Sequence, residues 1–218
     1  MAVERVTPYG LKEVADCYLY PAGTTVTINT GTGCTDFATI VSAGTDPKFI
    51  FDTLKVTNIE VSAEDASATG GRGNAELLNW SYGKEITFTM EDAVFSLATL
   101  DLMFGAKNES GGGVNDPTNT TIIVDADTFP SNYHVVGLTY IRNKNTGVDV
   151  PFVFEIPNAK INVGGTLTME ADGDPSTFEI TMKAMKAKDG TLVKFHRIAD
   201  GDDAATAAHY SDNVQTKQ

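Results

Sequence analysis

Tryptophan occurs once, cysteine twice and histidine three times in 218 residues, and lysine plus arginine number only 16 against 29 acidic residues. Each shortage excludes something. Cys17 and Cys34 allow at most one disulfide, and in a reducing compartment two free thiols buried as small hydrophobes are the expected state. His134, His196 and His209 are not paired at metal-ligand spacing, and no HExxH is present, so neither zinc chemistry nor a metalloprotease is indicated. The formal charge of −13 gives a surface that repels phosphate, which argues against specific DNA or RNA binding but not against nucleic acid passing a wall that must not hold it. No apolar run reaches the roughly eighteen residues of a membrane span, so no membrane insertion is expected. The opening MAVERVTPYG lacks an apolar core segment, so synthesis in a cytoplasm without a secretory signal is expected.

What is present is alternation. Ile86, Phe88 and Met90 share one parity, while Glu85, Thr87, Thr89 and Glu91 share the other, which predicts a half-buried strand over 85–90. Similar strands are predicted at 15–20, 49–61, 120–124, 133–141, 148–156, 159–163 and 192–198. The alternation over 49–61 slips near Thr57 and Asn58, as at a β-bulge. Pro151 favours an edge strand or an N–H side facing outward, and Pro157-Asn158 is expected to end its strand. Residues 24–37 read as a hairpin with its tip at Thr30–Gly33. Leu167 and Met169, then Phe178, Ile180 and Met182, alternate on either side of the turn at Asp172–Pro175, the strongest hairpin signal in the chain. One helix is predicted over 96–104: Leu97, Leu100 and Phe104 form its stripe, Ser96 its N-cap and Gly105 its C-terminal stop.

Together these elements predict a mainly β fold, an antiparallel sandwich or barrel with one short flanking helix and a long extended loop. Residues 1–12 read as an N-terminal arm, 13–199 as the β domain and 200–218 as a flexible tail. The loop is 62–79. SAEDASATGGRGNAELLN is small, polar and without strand period, and such a loop in a compact monomer is either mobile or ordered by a partner.

Candidate chemistry is sparse. Glu170, Asp172 and Asp174 surround a turn, but the sixth and twelfth positions counted from Asp172 are Thr177 and Lys183, which breaks the EF-hand pattern and leaves an Asx turn as the better reading. Gly70-Gly71-Arg72-Gly73 lacks the Gly-Lys-Ser/Thr ending of a phosphate loop, so the glycines supply turn geometry and Arg72 is free to reach a partner carboxylate. Glu85, Glu91, Glu170 and Glu179 alternate with threonines and lysines as on a solvated strand face rather than converging in a cleft. No cofactor and no enzymatic activity are expected. Trp80 and Tyr82 bracket the end of the loop and either anchor it against a neighbour or close the monomer core.

Two strings, GGRGNAELLNWSYGKEITFTMEDAVFSLATLDLMFG over 70–105 and FEIPNAKINVGGTLTMEADGDPSTFEITMKAM over 154–185, resemble the major tail tube proteins of long-tailed bacteriophages. The resemblance implies a β-sandwich or barrel flanked by a helix, assembled as hexameric rings that stack into a hollow tube for genome passage. It implies that the loop 62–79, with Gly70, Gly71, Arg72, Gly73, Trp80 and Tyr82, contacts neighbouring rings, as do the terminal arms. It further implies a location in the virion tail, after synthesis in the host cytoplasm, with tape measure, tail-tip and tail-terminator proteins as partners. Glu60, Glu85 and Glu91 lie on the two strands expected inside the tube and are the expected lumenal carboxylates. A carbohydrate- or receptor-binding β-domain is the rival, and it predicts a discrete aromatic-lined pocket and a finite oligomer.

Overall fold

The computed structural model describes residues 9–199 except 71, 73, 93–96, 106, 109–121, 145 and 163–176. The elements are β1 (Tyr9–Leu11), β2 (Asp16–Pro21), β3 (Val26–Ile28), α1 (Phe37–Ile40), β4 (Val41–Ala43), β5 (Phe49–Phe51), β6 (Leu54–Gly70) and β7 (Ala75–Asp92). They continue with α2 (Leu97–Phe104), β8 (Lys107–Asn108), β9 (Ile122–Ile123), β10 (Asn132–Asn143), β11 (Asp149–Ile161), β12 (Phe178–Ala184) and β13 (Lys194–Arg197). The principal sheet runs β5-β2-β10-β11-β12-β7-β6, with β1 also on β10 and β13 also on β11. Every pairing among the described residues is antiparallel.

The strands β5 and β6 stand at opposite ends of that order, yet only Asp52 and Thr53 separate them in sequence. Three Cα steps span roughly 11 Å at most, so the sheet curls until its two edges meet. This barrel-like closure encloses the main core, built from Leu19, Phe49, Ile86, Phe88, Met90, Val135, Phe154, Ile156, Ile180 and Met182. Leu102 and Met103 of α2 enter the same core, and Gly105 ends that helix at φ 65°, its N–H bonded to Asp101 O. A smaller cluster on the other face of β10 and β11 packs Val136, Leu138 and Val153 under Ile40 and Val41. The central strands are therefore buried on both faces, whereas β7 and β12 bury one face and expose the other.

Several expectations are corrected. The segment expected as a loop over 62–79 is mostly strand: 62–70 and 75–79 form the outer half of a hairpin in which β6 and β7 pair from Leu54↔Asp92 to Gly70↔Ala75. The 49–61 segment is two strands, and its irregularity falls between Leu54 and Val56, ahead of Thr57 and Asn58. Thr30–Gly33 is not a hairpin tip: β3 pairs with β4, and α1 lies between them, started by an Asp36–Thr39 capping box, so the described residues hold two helices rather than one. Pro157-Asn158 does not end β11, because a register shift opposite His134 absorbs the disturbance and the strand continues to Ile161. Pro151 sits in a central strand, not an edge. Its carbonyl accepts from Ile198 N, so its backbone points away from β10 and its missing N–H leaves the β10 ladder intact.

Among the described side chains of α2, Thr99, Leu102 and Met103 are buried, while Leu100 and Phe104 of the predicted stripe are half-buried. Ser96, the first half of the 167–182 hairpin, and Glu170, Asp172 and Asp174 lie outside the described residues, as do 1–8 and 200–218. Cys17 and Cys34 are free and buried, as expected.

Candidate assembly surface

The hairpin formed by β6 and β7 has two regimes. Near the barrel, Ile86, Phe88 and Met90 are buried and face Val61, Ile59 and Thr57 across the pair. Beyond Ser62↔Glu85 neither face is covered, and the ribbon continues to Gly70↔Ala75, about 30 Å at strand rise. An isolated two-stranded ribbon is marginal in water. On this one Leu77, Leu78, Trp80 and Tyr82 are each at least 50% exposed. Trp80 and Tyr82 thus do not close the monomer core.

Gly83, at φ 64°, sits where the register shifts between Ser62 and Glu64. A bulge at a left-handed glycine reverses the parity of the strand beyond it. The even-numbered residues of β7 face the core up to the bulge. Past it Tyr82, Trp80 and Leu78 lie on the opposite face, across from Glu64, Ala66 and Ala68. The small alanines leave the aromatic rings standing as a ridge. Gly70 closes the outermost pair and Arg72 is exposed at the tip, while Gly71 and Gly73 lie outside the described residues.

The outward face of the same strands is acidic. Register places Glu91 opposite Val56, Thr87 opposite Glu60 and Glu85 opposite Ser62, so Glu60, Glu85 and Glu91 share one face. On β12, Glu179 stands directly opposite Glu91. Lys183 answers Glu85 at 2.6 Å. Among the described residues the strand β6, 17 residues long, ends the sheet order with no strand on its outer backbone edge, and such an edge favours strand pairing between chains.

A cluster the sequence did not reveal lies on the other side of the sheet. Glu155 is 4% exposed. Its Oε2 is 3.2 Å from His196 Nε2, and its Oε1 is 3.4 Å from Lys194 Nζ and 3.1 Å from His134 Nε2. His134 Nδ1 faces Thr24 O at 3.2 Å, while its Nε2 lies beside the carboxylate without hydrogen-bond alignment. Burial alone raises the Glu155 carboxyl, but the contacts from His134 and His196 and the charge of Lys194 outweigh it and bring it down to about 2. The two strand histidines are thus structural partners of one buried carboxylate. Only Glu155, a charged residue in the apolar run Val150–Ile156, hinted at this.

The cluster sets an acid limb. A carboxyl depressed in the fold stabilises above its unfolded value near 4.5, and that contribution is lost as pH falls toward about 2. Glu155→Gln removes the counter-charge of the half-exposed Lys194 and disturbs the buried contacts to His134 and His196, and is expected to cost about 2 kcal/mol near neutral pH. The gap between its melting temperature and that of the parent should narrow between about pH 5 and about pH 2. Parallel melting curves across that range would show that the carboxylate carries no such linkage.

Among the described residues no group of three or more His, Cys, Asp or Glu is placed to hold a metal ion, and no helix is long and apolar enough to cross a membrane. No curated protein matches the chain. The family model described as the YomU/Tube protein family matches residues 34–113 and 115–198, which takes in the arm, the acidic face and every strand of the principal sheet except β1 and β2. With most of its length matched, the chain belongs to the YomU/Tube protein family, a phage-associated group of tube-like structural proteins.

Proposed function

We propose that this protein is the repeating subunit of a phage tail tube, in which closed rings, six copies each by its likeness to major tail tube proteins, stack around a lumen. The observation that carries the reading is the β6–β7 hairpin: one pair of strands bears both an acidic outward face and an uncovered arm. Turned inward, Glu60, Glu85, Glu91 and Glu179 form a negative wall. Duplex DNA carries one charge per about 1.7 Å, so such a wall lets it slide without adhering. The unpaired edge of β6 offers a neighbour in the ring a backbone to pair with, and ring closure removes the exposed edge. The arm reaches toward the adjacent ring. No chemical step is involved. Tape measure, tail-tip and tail-terminator proteins are the expected partners, with synthesis in the host cytoplasm before incorporation into the virion tail.

Negative-stain microscopy of the purified, concentrated protein tests this. Hollow tubes or six-fold rings of uniform diameter are expected. Particles that remain monomeric even with tail-tip components present would overturn it.

A further inference from the structure

The barrel carries a second uncovered apolar surface. A groove of about 680 Å³ lies between the β1–β2 segment, the base of β6 and β13. Leu11, Val14, Val56, Val61 and Phe195 are exposed along it, and Phe195 stacks on Phe152 at a centroid distance of 5.9 Å. No described element covers it. The chain therefore presents an apolar ridge, Leu78, Trp80 and Tyr82, and an apolar groove, with neither filled.

We infer that the groove of one copy receives the aromatic ridge on the arm of another copy. Dimensions fit: Leu78 to Tyr82 spans about 14 Å of strand, and the groove follows β6 from Val56 to Val61, about 17 Å. Of the charged residues that line the groove, Glu13 is acidic and Lys12 is held by Asp149 at 2.7 Å, while Lys55 has no ion-pair partner among the described residues and is the cation left to answer Glu64, Asp65 and Glu76, which flank the ridge. The chain's own arm does not fill the site. Its strands stay paired as they leave the groove's vicinity, and its ridge is exposed. Ridge and groove are different surfaces, so the contact is head-to-tail and propagates into a ring or a stack instead of stopping at a dimer. The inference rests on the tube-subunit reading for the identity of the partner.

Ala66 lies on the ridge face, and Asn58 lines the groove. Full-length Ala66→Cys and Asn58→Cys chains, mixed under mild oxidation, should form a mixed disulfide dimer at least about tenfold faster than either alone, because docking raises the local thiol concentration. Cys17 and Cys34 are buried and stay silent. Adding Trp80→Ala to the first chain, or Phe195→Glu to the second, should abolish that advantage. Tubes in the microscope without preferential mixed cross-linking would sink the docking site and leave the tube reading standing. Mixed cross-links in a preparation that forms no rings or tubes even with tail-tip components present would sink the tube reading and keep the contact. Cross-linking of Asn58→Cys to a cysteine placed at Val6 of the same chain, with no mixed dimer, would assign the groove to the chain's own N-terminal residues and overturn the inference.

Discussion

Shortening the arm is expected to abolish assembly and leave the barrel folded. Asp65 pairs with Ser81, whose Oγ donates to the Asp65 carboxylate, so deleting 66–80 and joining that rung through Asn-Gly preserves the register with a two-residue turn. None of the buried core residues lies in the deleted stretch. The melting temperature should therefore stay within about 2 °C of the parent, since surface changes away from the core cost at most about 0.5 kcal/mol. Association, followed by light scattering and microscopy, should be lost, because Leu77, Leu78 and Trp80 are gone and Tyr82 alone remains of the ridge. Unaltered tubes from the shortened chain would remove the arm from assembly, and a shortened chain that unfolds would show that the arm holds the barrel together.

Substitution of Gly137 is expected to have the largest effect on the fold. Gly137 pairs with Phe154, and the phenyl ring lies against it, so a Cβ built there would collide with Cε1 and Cζ. Phe154 is buried and packs against Phe88 at a centroid distance of 5.2 Å, which blocks its retreat. Overpacking of this kind costs about 3 kcal/mol, which for a domain of this size lowers the melting temperature by roughly 6–12 °C. Phe154→Leu added to Gly137→Ala should recover part of the loss, because it removes the ring that clashes. A Gly137→Ala chain that melts within about 2 °C of the parent would mean that the ring moves freely and that the core is looser than close packing implies.

Much of the barrel was legible wherever one face of a strand is buried. Ile86, Phe88 and Met90, like Phe178, Ile180 and Met182, alternate because the core takes every second side chain. Gly105 was legible because a helix end needs the left-handed conformation it adopts. The arm was not legible. Over 62–79 neither face is buried, so nothing in the monomer selects alternation, and small polar residues in a paired ribbon look like a loop. Its apolar residues Leu77, Leu78, Trp80 and Tyr82 are exposed, so burial within the monomer does not set their spacing. The hairpin expected at Thr30–Gly33 failed for a related reason: Val26–Ile28 finds its partner in Val41–Ala43, across a short helix that local turn signals do not announce.

Charge, composition and alternation by themselves determined an antiparallel β protein with an acidic surface, buried thiols and no metal-binding motif, because these follow from solvation and from the two-residue period of a strand. Only the tertiary structure decided that Glu60, Glu85, Glu91 and Glu179 share a face, since shared faces depend on register between strands far apart in sequence. It alone joined His134, Glu155 and His196, which come from three different strands. It alone turned the aromatic ridge outward, because that direction is set by a bulge at Gly83 whose effect is felt only once β6 and β7 are paired.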